Sequence, residues 1–352
     1  MPKPRVLHVA RDWVRPSEGF VADVVAHSAA TTPVVAYGVR HPMPTPSVPS
    51  YGVGWAERRG NRALRGAIAA VAWRHRTPLL HAHFGYWAHH VEAVARRTGR
   101  PWAVSLHGHD LLVEGCPAAA LADLVVVPSR FLGDAASRRG IPDERIAVVP
   151  SGIDLTRHVF RERQPPAGGI ATVTFAGRYV EKKGVLDAAR ALAGVPGIRC
   201  RFVGHGPQEA ELRRLLGELR LDAELVDGSA PGAVRQALEA TDVLVTPSKV
   251  GADGDAETLG LVNIEALAAG VPVVTSCSGG IPEAMPADVA TLVPEGDVAA
   301  LRAAVAAVVA APERWGAIGR AGRAHVERHF DVVARTAELE ERWLRLISQG
   351  RG

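Results

Sequence analysis

The sequence predicts an α/β protein built from two doubly wound, parallel-sheet domains. Short apolar runs alternate with stretches of helical period along most of the chain. The runs are apolar on both alternating faces, which suits strands buried on both sides and therefore parallel sheets covered by helices. The length of 352 residues is too great for one small core and comfortable for two.

In the first half, strands are expected near 6–10, 34–37, 79–81, 104–107, 124–128 and 146–149. The opening "MPKPRVLHVARDW" gives only five residues before charges resume, a buried strand rather than a signal-peptide core. The Pro/Gly-rich "MPTPSVPSYGVGW" at 43–55 reads as a surface loop. In the second half, strands are expected near 172–176, 199–203, 223–226, 243–246, 271–275 and 290–293. Helical period is clearest in "QEAELRRLLGELR" at 208–220 and "DVAALRAAVAAVV" at 297–309. No apolar run reaches the ~18 residues of a membrane span. "RERQPPAGGI" at 161–170 reads as a linker, which gives domains at 1–163 and 168–330. The amphipathic stretch 331–347 no longer alternates with strands and is expected to pack back on the first domain.

Cys116, Cys200 and Cys277 are scattered and without metal spacing, so a reducing cytoplasm and packing thiols are expected. The net charge of +4 hides an asymmetry, because residues 1–163 carry 21 Lys+Arg against 13 Asp+Glu. "ERRGNRALR" at 57–65, "WRHR" at 73–76 and "ARRTGR" at 95–100 are either a solvated surface or a face for an anionic partner, such as a membrane. Nucleic acid is disfavoured, since no aromatic-interleaved basic platform accompanies these arginines.

Ligands of open parallel sheets bind beyond the carboxyl ends of the strands, so two such domains facing one another would bring functional loops into one cleft. "TFAGRYVEKKG" at 174–184 places Arg178 and Lys183 five apart after a strand, able to close on a diphosphate. In "ETLGLVNIE", Glu257 falls before a helix expected to begin near Leu259, with Gly260 permitting close backbone approach. Glu265 would lie about two turns in, so the carboxylates would reach different hydroxyls of one elongated ligand. "SLHGHDL" at 105–111 delivers His107 to a sheet edge, and Gly19 in "PSEGF" could bring amides near phosphate. The "DGD" at 253–255 sits in what reads as a flexible loop without other metal ligands, and the histidines of "HAHFGYWAHH" at 81–90 lack acidic or thiol partners, so no metal site is expected. "VGHGPQE" at 203–209 lacks the third glycine of a dinucleotide fingerprint, which argues against a nicotinamide site.

Taken in order, "PSEGF", "HAHFG", "HGHD", "VPSGID", "GRYVEKKG" and "ETLGLVNIEALAAGVPVV" resemble the retaining GT-B glycosyltransferases of family 4, in the branch that assembles exopolysaccharides such as colanic acid. The resemblance spans nearly the whole chain and is most specific in its second half. It implies a GT-B fold, with an acceptor domain first and a nucleotide-sugar donor domain second. It also implies a catalytic set of His107, Glu257, Arg178 and Lys183. Arg178 and Lys183 would hold the donor diphosphate, Glu265 the ribose, and Glu257 with the backbone of Leu259, Gly260 and Leu261 the donor sugar. His107 would reach a sugar hydroxyl and Gly19 would lie near the phosphates. The implied enzyme retains anomeric configuration, needs no metal or other cofactor, and uses a nucleotide diphosphate sugar, UDP-linked, with a glycan, lipid-linked or small-metabolite acceptor. The alternative of another class is a catalytically silent binding or accessory subunit of the same fold. This chain departs from the family pattern at Gly19, Ser151-Gly152 and Thr258-Leu259, which bears on donor identity.

Overall fold

Every strand pair of the computed structural model, which describes residues 2–15 and 18–350, is parallel. The first sheet contains β1 (Arg5–Trp13), β2 (Thr32–Arg40), β3 (Ser50–Gly52), β4 (Leu79–His83), β5 (Trp102–Ser105), β6 (Leu124–Val127) and β7 (Ile146–Val148), in the order β3-β2-β1-β4-β5-β6-β7. The second contains β8 (Ala171–Ala176), β9 (Ile198–Gly204), β10 (Ala223–Asp227), β11 (Val243–Thr246), β12 (Val273–Ser276) and β13 (Thr291–Val293), in the order β10-β9-β8-β11-β12-β13. Each order reverses once, between β1 and β4 and between β8 and β11. Those reversals are where open α/β sheets form ligand crevices.

All twelve expected strands are present, with one addition. Strand β3 lies within the stretch expected to be loop, and the short helix Gly54–Glu57 begins at its end. The strand near 104–107 ends earlier, at Ser105, so His107 stands beyond the sheet edge.

The alternating residues of each strand enter two different cores, as the pleat requires. Leu7 and Val9 pack with Leu80, Val104, Leu64 and Ile68 on one face, while Val6 packs with Leu79, Ala103, Leu339 and Trp343 on the other. The second sheet does the same, with Phe175 and Val245 facing Leu192 and Leu301, and Leu244 and Val273 facing Ile264 and Val326. Cys116 and Cys200 are buried free thiols; Cys277 is free and exposed, not packed as expected. Among the described residues, no helix is long and apolar enough to cross a membrane.

The chain divides into two compact units, Met1–Gly152 with Val332–Gly352, and Ile153–Asp331. The division falls at Gly152/Ile153, upstream of the expected boundary at 163. Residues of the expected linker are bonded into the second unit: the Arg161 amide donates to Ala269 O at 3.2 Å, and Arg163 donates to Leu238 O at 2.7 Å. Ile153 bridges Asp331 in parallel, so the two chain passages enter the second unit side by side.

The helix Val332–Gln349 belongs to the first unit. Leu339, Trp343 and Ile347 are buried there, each worth about 1.5–3 kcal/mol of transfer free energy. Glu340, 2% exposed, accepts hydrogen bonds from the amides of Ala29, Ala30 and Thr31 and from Thr31 Oγ1 at 2.7–3.0 Å. A buried carboxylate is thus satisfied by the turn that precedes β2.

Candidate functional site

In the second unit the loops after β8 and β11 leave adjacent strands at the reversal of strand order. Gly184, at φ +65°, lies against the Pro247 carbonyl, where a Cβ would clash, and so lets the first loop close on the second. The Lys249 amide donates to Lys182 O at 2.8 Å and joins them.

A chain of alternating charges runs across this junction. Lys183 Nζ lies 2.8 Å from Glu257 Oε1, Lys182 Nζ lies 3.7 Å from the same oxygen, and Lys182 Nζ lies 2.8 Å from Asp255 Oδ2. Glu257 is 8% exposed. Burial pushes its carboxyl up, but Lys183, Lys182, the Lys183 hydrogen bond and the Arg178 charge together outweigh it and hold the group at about 2. Glu257 is therefore an anion at neutral pH, able only to accept hydrogen bonds. Arg178 itself is exposed at the rim. The "DGD" loop is not loose: Asp255 is buried, its amide is held by Asp253 Oδ1 at 2.9 Å and its carbonyl accepts from the Gly251 amide at 2.8 Å.

Helix Leu261–Ala268 begins two residues later than expected, after Gly260 at φ +75°. Glu265, half-buried, therefore sits just over one turn into the helix rather than two. Leu259 and Gly260 are buried, and Leu261 opens the helix. Asn263, which sequence reasoning missed, fixes the helix to the sheet: its Oδ1 accepts from Thr246 Oγ1 at 2.6 Å and its Nδ2 donates to Thr275 Oγ1 at 3.3 Å. Lys182 and Asp255 were missed too. No local signal could reveal their pairing across 73 positions of chain, whereas the lysine doublet before Gly184 was a usable hint.

In the first unit, His107 and Gly108 follow β5, and Gly85 follows β4. The Asp110 carboxylate, 1% exposed, gathers all three loop amides: His107 N and Gly108 N donate to Oδ1, and Gly85 N to Oδ2, each at 3.0 Å. Burial nevertheless pushes the Asp110 carboxyl up. The His107 ring is clasped between Phe20 and Phe84, with centroids at 4.7 and 4.5 Å. Burial, aided by His83, lowers His107 to about 3, so its imidazole is neutral at physiological pH. Gly19 opens the helix Gly19–His27, and a Cβ there would meet nothing within 4 Å; Pro16 and Ser17 of the same motif lie outside the described residues.

The histidine run resolves differently. His81 and His83 join His8, which faces His81 in the β1–β4 register, in a buried trio beneath Trp343. Their ring planes lie 8–18° apart, and one ring nitrogen of each lies within 4.8 Å of the others, a grouping that could hold a metal ion. His8 Nδ1 lies 2.9 Å from His83 Nε2, and His81 Nε2 lies 2.8 Å from Ser105 Oγ. The other nitrogens of two of these rings, His8 Nε2 and His81 Nδ1, are buried and have no hydrogen-bond partner among the described residues.

Comparison with known proteins agrees with this architecture. Residues 5–157 match the family described as Glycosyltransferase Family 4, and residues 157–325 match Glycosyl transferases group 1. The colanic acid biosynthesis glycosyltransferase WcaL of Escherichia coli K12 is 38% identical over 193 residues, 53% of this chain and 47% of that protein. The chain thus aligns with about half the length of that relative. The GDP-mannose-dependent alpha-(1-6)-phosphatidylinositol monomannoside mannosyltransferase of Mycolicibacterium smegmatis is 32% identical over 273 residues, 70% of this chain and 71% of that protein. Among solved structures, Anabaena HepE in complex with UDP superposes with a TM-score of 0.79 at 17% identity, covering 97% of this chain and 100% of that one. The two family descriptions cover both halves, the mycobacterial relative aligns over 70% of this chain, and the fold superposes along nearly its whole length: the chain belongs to the GT-B glycosyltransferases of family 4.

Proposed function

We propose that the protein transfers a sugar from a nucleotide diphosphate sugar, UDP-linked, to a hydroxyl of a glycan or lipid-linked acceptor, with retention of anomeric configuration. The observation that carries this reading is the buried Glu257–Lys183 pair, flanked by Lys182 and Arg178 at the strand reversal of the second sheet. An ionised acceptor among three cations suits a ligand that offers hydroxyls at one end and phosphates at the other.

In this mechanism the diphosphate takes over Lys183 and Arg178, and Glu257 accepts from donor-sugar hydroxyls. The bond from the anomeric carbon to the phosphate oxygen breaks, and negative charge grows on the diphosphate, which the lysine and arginine stabilise. The acceptor oxygen forms its bond on the same face, and its proton passes to the departing phosphate oxygen. The positive charge needed is supplied by side chains, so the reaction is expected to proceed without a metal. Glu265 accepts from the ribose hydroxyls. The family role of His107, a hydrogen bond to a donor-sugar hydroxyl, suits a neutral imidazole. A cytoplasmic setting at the inner face of a membrane fits a lipid-linked acceptor.

The test is thermal stabilisation of the purified protein by a panel of nucleoside diphosphates and nucleotide sugars, with and without magnesium. UDP is named by the HepE structure and GDP-mannose by the mycobacterial relative, so those bases head the panel. A shift with a uridine nucleotide, independent of magnesium and abolished in Arg178→Ala, supports the proposal. A shift with guanosine nucleotides alone would overturn the UDP assignment. Stabilisation without turnover or donor hydrolysis would favour the silent-subunit reading.

A further inference from the structure

The first unit carries three histidines that the donor reading leaves idle. His8 stands on β1, and His81 and His83 stand on β4, with His8 opposite His81 and Ala10 opposite His83 in the parallel register. Residues two apart on a strand share a face, and so do residues in register, so all three side chains leave the same side of the sheet. That side is closed by the helix Val332–Gln349, whose Trp343 meets His8 and His81 edge to face at 5.3 and 5.2 Å. His8 and His81 are 0% exposed and His83 is 3% exposed.

Polar rings in an apolar core need partners, and these find too few. His8 Nδ1 and His83 Nε2 share one hydrogen bond, and His81 Nε2 has Ser105 Oγ. His8 Nε2 and His81 Nδ1 have none among the described residues. Burial holds each ring below the ordinary imidazole value, so each is neutral and has one lone pair to give. One nitrogen from each ring lies within 4.8 Å of the other two. Two nitrogens bound to a tetrahedral ion at ~2.0–2.1 Å are ~3.3 Å apart. The His8–His83 pair, now at 2.9 Å, therefore needs to open by only a few tenths of an ångström. Ligation also turns the nearly parallel rings about χ2, a torsion with a broad minimum.

We infer that His8, His81 and His83 are the protein ligands of a zinc ion, which ties β1 to β4 beneath the returning helix. Three imidazoles suit zinc, copper, nickel or iron; magnesium and calcium call for oxygen ligands, and the group includes no carboxylate. Zinc accepts three histidines and a water as a tetrahedral set. Ser105 would hold the His81 ring from outside, as the second partners of ligating histidines do. His83 and Ser105 also line a cavity of about 40 Å³, together with Val126, Val149, Thr336 and Leu339. That volume admits a water as fourth ligand, and Thr336 Oγ1, buried and without a partner among the described residues, belongs to the same lining. The site lies in the first unit and does not rest on the donor reading.

The test uses the full chain after treatment with a chelator. Equilibrium dialysis against zinc should give a single ion per chain, and zinc should raise the melting midpoint as its concentration exceeds its dissociation constant. Cobalt(II) should give the visible absorption of a four-coordinate site, and added zinc should bleach it. His83→Cys should add a thiolate-to-cobalt charge-transfer band in the near ultraviolet, which a merely structural role for residue 83 would not produce. Ser105→Ala keeps all three ligands and should weaken zinc about 10–100-fold; it also keeps the question open to test if the cysteine variant does not fold. His325 and His329, with ring centroids 4.8 Å apart on a helix of the second unit, are the competing pair, and His329→Ala should leave zinc binding unchanged. No zinc bound, the weak spectrum of six-coordinate cobalt, or wild-type zinc affinity in Ser105→Ala would overturn the proposal. So would loss of binding in His329→Ala, and the trio would then be core packing only.

Discussion

Lys183→Met isolates the ion pair at the centre of the second unit. The substitution keeps most of the side-chain volume and leaves Glu257 with Lys182, 3.7 Å away, as its nearest cation. The folded-state value of about 2 for Glu257 lies below its ordinary 4.5. The resulting stabilisation is therefore fully present above about 4.5 and is lost as pH falls through about 2. At 1.36 kcal/mol per unit the whole depression corresponds to about 3 kcal/mol, and Lys183 supplies the largest favourable share. A loss of ~2 kcal/mol at pH 7 would lower the melting midpoint of a unit this size by about 4–8 °C. The gap to wild type should narrow below about pH 4.5, where the variant's Glu257 takes up its proton. Differential scanning calorimetry at pH 7 and pH 4 reads both quantities. Isothermal titration with the nucleoside diphosphate should show affinity reduced about 10–100-fold, the cost of one charged hydrogen bond. A variant that melts with wild type at pH 7, or that binds the nucleotide unchanged, would refute this reading of the pair.

Other consequences follow from individual residues. Glu265→Ala should weaken a ribose nucleotide about tenfold while leaving its deoxyribose analogue nearly unaffected, and equal losses in competition titrations would count against a ribose contact. Asp110→Ala removes the acceptor of three loop amides and should cost about 1–3 kcal/mol in urea unfolding, together with slower turnover as the His107 loop loosens. Unchanged stability would contradict its role as the anchor of that loop. Glu340→Ala should make the helix Val332–Gln349 sensitive to limited proteolysis, with fragments ending near residue 331. An intact helix under conditions that cut no wild-type protein would show that its apolar face alone holds it.

Much of this was legible from period and punctuation. The apolar runs marked twelve strands, because residues buried on both faces must be apolar whichever way the pleat points. The run at 50–52 was hidden by its prolines and glycines, which mask a three-residue edge strand. The linker was misplaced for a related reason: "RERQPPAGGI" has a linker's composition, yet Arg161 and Arg163 find acceptors on the second unit, and composition is blind to tertiary hydrogen bonds. Arg178, Lys183 and Glu257 were accessible because each follows a strand in a recurring motif. Lys182 with Asp255, Asn263 with Thr246, and His8 with His83 were not, since each pairing joins segments that only sheet order brings together.

The excursion of the chain into the second unit affects the order of events at birth. Glu340 completes the turn at 29–31 from more than 300 residues downstream. At a synthesis rate of ~5–20 residues per second, the face of Val6, Leu79 and Ala103 waits about 12–50 s for its cover. Meanwhile the continuous segment 153–331 can fold by itself, which makes the second unit the first to finish. The nascent first unit, with one apolar face still bare, is the stage at which this protein most needs a chaperone.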